Sequence, residues 1–407
     1  MKRFVLLLSR AVFGLVFMFS GFVKAVNPLG SMYKFEDYFI SFGLTFFIPL
    51  SLVLAIALAA IEFVIGVNLL LGVQVKKTSW VALLFMAFMT PLTLYIALAN
   101  PVSDCGCFGD ALVIDNWTTF YKNIVLSLLV LIIFISRKKE PLYFSVKSQW
   151  LLAGFALLFS VGVSVYGYAH LPIFDFRPYK IGANIVEGMF IPDDAPQDVY
   201  ETTFIYEKEG KQQAFTLENF PAGDSTWTFV DQQSKFIAQG FRPAIHDFSI
   251  EYAGDDITEE VLQDSGFTFL VVSSKLEKAN EKDAPKINQL HQYAQDHGYA
   301  FYCITSSFGD AVRTHREQTD AIYPIAFADE VTLKTIIRSN PGIVLLKDGM
   351  VYNKWHGGSL PTFEATLENS DYREIQYPCN GLKLMGLLIL FCLPVGGIWL
   401  LEKKNKK

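Results

Sequence analysis

The sequence predicts an α-helical membrane protein that carries an α/β domain outside the cytoplasm. Hydrophobic residues make up 52% of the 407-residue chain, charged residues make up 18%, and mean hydropathy is +0.31. This composition is too apolar for a soluble protein of that length. Six apolar runs approach the ~20 residues that span a bilayer, and a long polar segment separates the fifth run from the sixth.

The distribution of positive charge predicts the topology of these runs. They lie at about 4–23, 46–73, 80–99, 117–135, 149–168 and 381–401. Lys and Arg cluster at 2–3, 76–77, 137–139 and 403–407, all on one predicted face. Because short cytoplasmic loops are enriched in these residues, we expect both termini in the cytoplasm and residues 170–380 outside it. In a bacterium this means a multi-pass inner-membrane protein with a periplasmic domain. The sequence contains no basic patch interleaved with aromatic residues, so it gives no indication of nucleic-acid binding.

The outer segment divides into a β-rich part, 171–245, and an α/β part, 246–378. Alternation on both sides of Glu209-Gly210 predicts a β-hairpin in the first part, and 226–230 and 247–252 are typical of further strands. In the second part the hydrophobic pattern predicts a βαβαββ order. Its elements lie at 267–272, 283–297, 299–305, 309–319, 343–346 and 350–355.

This order resembles the thioredoxin fold over about residues 245–365. Asn340-Pro341-Gly342 precedes the penultimate strand, so Pro341 matches the cis proline of that family. Ser273-Ser274-Lys275-Leu276 stands where an active thioredoxin carries Cys-x-x-Cys. Without a thiolate there is no nucleophile for disulfide exchange, and the domain is expected to act as a docking module.

Cys105 and Cys107 form a Cys-x-Cys pair in the loop between the third and fourth apolar runs. Outside the cytoplasm such a pair meets oxidising conditions. A disulfide between them closes a small, strained ring, which favours its reduction, and Gly106 permits the tight turn. The pair is interpreted as a catalytic redox loop, as a structural fixing of the loop, or as part of a metal site. Two thiolates without a nearby His fall short of a tetrahedral metal site.

The remaining cysteines are weaker candidates. Cys379 is predicted at the outer end of the last span, on the same face as Cys105 and Cys107, where it could serve as a resolving thiol. Cys303, in a buried strand, and Cys392, inside the last span, are expected to pack in the core.

Arg10 and Glu62 stand inside predicted spans, where an ionisable group is costly unless it is paired or hydrated. Counted at ~1.5 Å per residue, both fall in the inner half of the bilayer, so an ion pair between Arg10 and Glu62 is expected. The alternative is that Arg10 snorkels to the cytoplasmic surface and Glu62 is protonated. Lys24 is expected to snorkel to the outer surface.

The first 136 residues resemble the DoxX-like membrane family. The resemblance rests on Ser9-Arg10, Gly14, Ser20-Gly21, Lys24, Asn27-Pro28, Glu62, Gly66 and Gly72. The Cys105-Gly-Cys-Phe-Gly109 loop is similar to its methylamine-utilisation branch, the MauE-like proteins. The whole architecture resembles the Bacteroidetes DoxX proteins that have a thioredoxin-like C-terminal domain.

The resemblance implies five parts. They are a four-helix DoxX/MauE-like module at 1–140, a fifth transmembrane helix at 141–170, the β-rich segment at 171–245, the thioredoxin-like domain at 246–378, and a sixth helix with a basic tail at 379–407. It also implies a role in thiol redox chemistry or disulfide maturation outside the cytoplasm.

Two functional hypotheses follow. In the first, Cys105 and Cys107 exchange with the dithiol of a periplasmic protein and pass electrons to a membrane quinone, while the outer domain recruits that protein. In this scheme, replacing Cys107 should leave a mixed disulfide on Cys105. In the second hypothesis, the protein is a non-enzymatic membrane platform that binds a periplasmic partner, and its Cys-x-Cys pair is structural.

Overall fold

The computed structural model describes most of the chain, with gaps at single positions and in four longer segments. The described residues are 2–102, 104–139, 143–217, 219, 223–224, 226–238, 240–364, 366–367 and 380–405.

Six helices in the described part of the chain are long and apolar enough to cross a membrane. They are α1 (Lys2–Val26), α3 (Ser51–Leu71), α4 (Val75–Ala99), α5 (Asn116–Ser136), α6 (Val146–Ala169) and α12 (Asn380–Asn405). The apolar stretch of the second span begins earlier, as a 3₁₀ turn at Thr45–Leu50. The predicted helical membrane class is therefore confirmed by the lengths and composition of these helices.

Helices α1 and α3 pack closely because glycines face the contact. A Cβ added at Gly21 would collide with the backbone of Ala59 and Phe63, and one added at Gly66 would collide with the backbone of Met18. Small residues of this kind let two membrane helices approach to backbone contact. This close packing fixes the positions of the polar side chains that α1 and α3 present to each other.

A hydrophobic core joins the first four spans. Phe13 and Phe17 of α1, Leu69 of α3, Met86 of α4 and Ile133 of α5 are buried together. The fifth span packs on the other side of α1 and α3, where Phe159 stacks on Phe63. The bundle therefore has α1 and α3 at its centre.

Helix α2 (Pro28–Ser41) covers the end of the bundle that faces the α/β domain. The sequence analysis did not predict this helix. The Asn27 side chain accepts a hydrogen bond from the Gly30 amide and so caps the helix, and Pro28 occupies its first turn. An N-cap Asn followed by Pro is a recognised helix start. The Asn27-Pro28 dipeptide could therefore have revealed this element.

The β-rich segment forms a three-stranded antiparallel sheet in the order β2-β1-β3. Strands β1 (Val199–Lys208) and β2 (Lys211–Phe215) meet at the predicted Glu209-Gly210 turn. Strand β3 (Thr228–Ala238) pairs with the other edge of β1 and is longer than expected.

A seven-stranded mixed sheet forms the α/β domain, in the order β10-β9-β6-β7-β8-β4-β5. Its strands are β4 (Glu251–Tyr252), β5 (Asp255–Asp256), β6 (Thr268–Ser273), β7 (Ala300–Thr305), β8 (Ile325–Phe327), β9 (Gly342–Lys347) and β10 (Met350–His356). Strand β6 is parallel to β7 and antiparallel to β9, and β9 is antiparallel to β10.

This pairing reproduces the predicted βαβαββ layout, with hydrophobic clusters on both faces of the sheet. The helices of the domain are α8 (Thr258–Leu262), α9 (Ala284–Asp296), α10 (Asp310–Thr319) and α11 (Glu330–Ile336), and a short α7 (Ile185–Met189) precedes it. Strand β8 and helix α11 were missed, because three strand residues and seven helical residues are too short to give a clear periodicity.

Candidate functional site

The two cysteines lie in a tight loop at the end of the bundle that faces the α/β domain. Gly106 adopts a left-handed conformation with φ of +67°, and its amide donates to the Asp104 carboxylate at 2.8 Å. The turn brings the two sulfur atoms, Cys105 Sγ and Cys107 Sγ, to 3.0 Å from each other. Both cysteines are free thiols in this structure, and a small approach of the sulfurs would form the ~2.05 Å disulfide bond.

Helix α2 holds the first half of the loop. Lys34 Nζ lies 2.7 Å from Asp104 Oδ2, and the Tyr38 hydroxyl donates to the Cys105 carbonyl oxygen at 3.0 Å. A Cβ at position 106 would meet the Lys34 side chain at 3.1 Å. Glycine is therefore required at position 106 both by its positive φ and by the close approach of α2.

Helices α1 and α3 hold the second half of the loop through a buried polar cluster. Lys24 Nζ donates to the Cys107 carbonyl oxygen at 2.5 Å and lies 2.7 Å from Glu62 Oε2. The Ser20 hydroxyl lies 2.8 Å from the same carboxylate oxygen and 2.7 Å from the same carbonyl oxygen. Lys24 and Glu62 are each only 5% exposed. We call Ser20, Lys24 and Glu62 the loop-support cluster.

The structure does not bring Arg10 and Glu62 together, as we had expected. Arg10 Nε donates to the Leu69 carbonyl oxygen at 3.0 Å, near the other end of α3, and its guanidinium faces the Tyr143 ring at 5.9 Å. Arg10 and Lys24 are fourteen residues apart on α1, which is roughly 21 Å of helix. Glu62 lies nearer the outer end than we counted, because residues 45–50 form a turn before α3 begins.

Lys24, expected to snorkel outwards, turns inwards because the Cys107 loop dips between the helices and supplies an acceptor. The buried cation thus bonds to a carboxylate and a carbonyl group instead of reaching water. This is the arrangement in which a charge inside a membrane protein is tolerated. The role of Lys24 in the site was missed by sequence reasoning, although its spacing of four from Ser20 placed both on one helix face.

The two thiols differ in their acidity. The hydrogen bond between the two sulfurs lowers the pKa of Cys107 to about 6. Lys122 and Lys24 act in the same direction, whereas burial opposes the shift. The same hydrogen bond and burial raise the pKa of Cys105. Cys107 is therefore the thiolate near neutral pH, where an ordinary cysteine with a pKa of ~8.5 is mostly protonated.

A cation stands beside the more acidic thiol. Lys122 of α5 lies over the Phe108 ring, with Nζ 4.5 Å from the ring centroid, and it lowers the pKa of Cys107. Cys107 is therefore the more nucleophilic of the two sulfurs near neutral pH. This favours the opposite assignment to the expected mixed disulfide on Cys105.

The α/β domain sits against the same loop. Arg338 lies 2.9 Å from Asp110 Oδ2, and Asn27 Nδ2 donates to that oxygen at 2.6 Å. The Lys334 ammonium and the Arg338 guanidinium face the Tyr33 ring of α2. Asp110 therefore links the cysteine loop, helix α2 and the domain.

The domain supplies hydroxyl groups where a thioredoxin-type pair would stand. Ser273 is the last residue of β6, and its hydroxyl donates to the Asn340 side-chain oxygen at 2.7 Å. The Asn340–Pro341 peptide bond is cis. Cys303 is buried in the hydrophobic core of the α/β domain. None of the contacts among the described residues joins it to the cysteine loop.

The other candidate residues are dispersed. Cys379 lies outside the described residues. Cys392, which we expected to be buried, is exposed on the surface of α12. Within the described part of the chain, no group of three or more His, Cys, Asp or Glu residues is placed to hold a metal ion.

Together these features define a multi-pass helical membrane protein with a paired-thiol loop under an α/β domain. Residues 2–136, about a third of the chain, match the family described as "Methylamine utilisation protein MauE". Residues 200–239, which contain the three-stranded sheet, match a domain of unknown function. The search of curated proteins gave no match.

Among solved structures, the chain is similar to the one described as "Solution structure of a putative protein disulfide isomerase from Bacteroides thetaiotaomicron". The identity is 18%, and the TM-score is 0.25. The alignment covers 32% of this chain and 84% of that one.

Proposed function

We propose that this protein is a membrane thiol-disulfide oxidoreductase whose reacting groups are Cys105 and Cys107. The observation that carries the proposal is the 3.0 Å separation of two thiols of unequal acidity in a loop anchored by the loop-support cluster. A purely structural pair would have no need for one acidic sulfur. The match of residues 2–136 to the MauE family supports the membrane module.

The reaction starts from the Cys105–Cys107 disulfide and a protein partner with two thiols. A partner thiolate attacks the Cys107 sulfur, so that a mixed disulfide forms and Cys105 leaves and takes a proton. The second partner thiolate then attacks its own sulfur in the mixed disulfide. Cys107 leaves as a thiolate, which its low pKa favours, and the partner departs as a disulfide.

Two electrons from the partner then reside on the reduced Cys105–Cys107 pair. A membrane quinone accepts these two electrons and two protons, becomes a quinol, and restores the disulfide. The quinone is assigned by chemical class, as a lipophilic two-electron acceptor within reach of a loop that dips into the bundle. The α/β domain, whose Ser273 and Ser274 replace reactive cysteines, recruits the partner.

Trapping tests the assignment of Cys107. In a Cys105→Ser variant, the Cys107 thiolate attacks the disulfide of the oxidised partner and one partner sulfur leaves as a thiolate. Cys105 is no longer present to release the bound partner, so a mixed disulfide between Cys107 and that protein should accumulate. Non-reducing gels followed by mass spectrometry of the cross-linked peptides would identify it. The matched control is Cys303→Ser, which removes a buried cysteine of the domain and should behave as the wild type.

Three outcomes separate the hypotheses. An adduct on Cys107 in Cys105→Ser supports the proposal. An adduct on Cys105 in the converse Cys107→Ser variant alone would reverse the roles of the two sulfurs. If neither variant forms adducts and the double serine variant keeps full function in cells, the non-enzymatic platform is correct and the redox proposal is wrong.

A further inference from the structure

A large groove runs along the fifth and sixth spans beneath the α/β domain, beside the contact of Phe155 and Phe159 with Phe391. Its volume is about 1080 Å³, which is just above the ~300–1,000 Å³ typical of small-molecule sites. The groove belongs to a different part of the molecule from the cysteine loop, since no residue of that loop lines it.

The lower walls of the groove are apolar faces of two helices. Phe155, Phe159 and Val163 of α6 face Leu387 and Leu390 of α12 across it. On α6 the lining continues at helical spacing to His170, fifteen residues from Phe155, which is roughly 22 Å of helix. This length covers the ~15 Å hydrocarbon depth of one bilayer leaflet and extends roughly 7 Å beyond it. The walls therefore fit the tail of a lipid from the leaflet on the side of the domain.

Two glycines leave the groove open. Gly162 of α6 and Gly386 of α12 line it, and a Cβ added at either position would meet nothing within 4 Å. They differ from Gly21 and Gly66, where a Cβ would collide with a neighbouring helix. The space beside Gly162 and Gly386 is therefore not filled by atoms of neighbouring described helices.

The upper end of the groove is positively charged. Among its lining residues Arg177, Lys180, Lys354 and Lys383 are cationic, whereas Asp175 is the one acidic residue. Asp175 accepts from Arg177 at 2.9 Å and from Lys354 at 3.0 Å. Lys180 is exposed, and Lys383 contacts only a backbone carbonyl among the hydrogen bonds of the described residues. Arg177 also lies 4.0 Å from Asp110, so Arg177 and Lys354 are both paired with carboxylates. No salt bridge of the described residues includes Lys180 or Lys383, and these two cations give the headgroup level its excess positive charge.

We propose that this groove binds a phospholipid with an anionic headgroup. The tail lies between α6 and α12, and the phosphate lies near Lys180 and Lys383. Excess positive charge at the end of an apolar slot distinguishes this occupant from a neutral lipid or a quinone, because basic pockets beside membrane helices favour anionic headgroups. A protein segment would not match a slot of one leaflet's depth that is walled by lipid-facing helices.

The experiment measures which lipids remain bound to the full-length protein. The protein is placed in nanodiscs that contain equal amounts of phosphatidylglycerol and phosphatidylcholine with identical acyl chains, and the retained lipids are counted by native mass spectrometry. We expect a clear preference for phosphatidylglycerol. Lys180→Gln with Lys383→Gln should reduce it roughly tenfold or more, whereas the exposed Lys282→Gln should leave it unchanged.

A second set of variants tests the tail site. Gly162→Leu and Gly386→Leu should each displace the lipid by filling the slot, whereas Gly154→Leu should not, because Gly154 of α6 is equally open but does not line the groove. Equal retention of the two lipids, or retention unaffected by both glycine variants, would overturn the proposal. So would displacement by inorganic phosphate alone, or preferential retention of an added ubiquinone.

Discussion

Lys24→Met should lower the stability of the folded protein by roughly 3–5 kcal/mol, because the Glu62 carboxylate would remain buried without its cation. The same change should raise the pKa of Cys107, since Lys24 lowers it in the wild type. Lys24 also donates to the Cys107 carbonyl oxygen, so the loop should lose one of its anchors. Thermal unfolding in detergent and site-resolved alkylation at several pH values would measure the two effects.

The double variant Lys24→Met, Glu62→Met separates the effect of Lys24 on protein stability from its effect on the pKa of Cys107. It leaves no unpaired buried charge, so most of the lost stability should return. The pKa of Cys107 should remain above the wild-type value but below that of Lys24→Met, because Lys24 lowers this pKa more than Glu62 raises it. An exposed control, Lys282→Met, should change neither property. If Lys24→Met unfolds as the wild type does, the loop-support cluster does not anchor the site.

Cys105→Ala should raise the pKa of Cys107 from about 6 towards the ~8.5 of a free cysteine, because the thiol hydrogen bond is the largest cause of the lowered value. In the wild type, alkylation of Cys107 should rise as pH increases through about 6 and level off above it. In Cys105→Ala the rise should occur at higher pH. At pH 6 its rate should fall by roughly tenfold, since the thiolate fraction drops while the nucleophilicity of each thiolate increases.

Cys105→Ser supplies the matched comparison. Serine retains a hydrogen-bond donor, so the pKa of Cys107 should shift less in Cys105→Ser than in Cys105→Ala. Both variants remove the internal disulfide, and a difference between them therefore reports the hydrogen bond alone. Identical alkylation profiles for the wild type and Cys105→Ala would show that the acidity of Cys107 has another origin.

Much of the architecture could be predicted because its patterns are long. A span of about twenty apolar residues leaves few alternatives, and the hairpin about Glu209-Gly210 combines alternation with a turn residue that tolerates positive φ. The short elements β8 and α11 could not be recognised in the same way. They are held by the sheet and by the packing of Leu333 and Ile336 rather than by their local pattern.

The site was predicted only as far as residue type and spacing allow. Cys105, Gly106 and Cys107 stood out because two thiols beside glycine are rare and chemically specific. The partner of Glu62 could not be identified from depth alone, because Arg10 and Lys24 both lie on α1. Only the inward fold of the loop, which brings the Cys107 carbonyl oxygen to Lys24, decides between them.

The asymmetry of the two thiols also required the structure. The sequence places the cysteines two residues apart, but it does not show which of the two thiols is the more acidic. Tyr38 and Lys34, which hold the loop from α2, come from a helix that the hydrophobic pattern alone did not reveal. The spacing of the cysteines was therefore enough to predict the two reacting sulfurs, whereas their different roles depend on tertiary packing.

The most direct test of the central claim is the redox state of Cys105 and Cys107 in cells. Thiols are trapped by acid quenching and alkylation, and mass spectrometry measures the labelled fraction of each cysteine before and after quinone synthesis is blocked. We expect a Cys105–Cys107 disulfide in respiring cells and accumulation of the dithiol once quinone is depleted, with Cys303 labelled equally in both. If the pair remains a dithiol under both conditions, the proposed redox cycle is wrong.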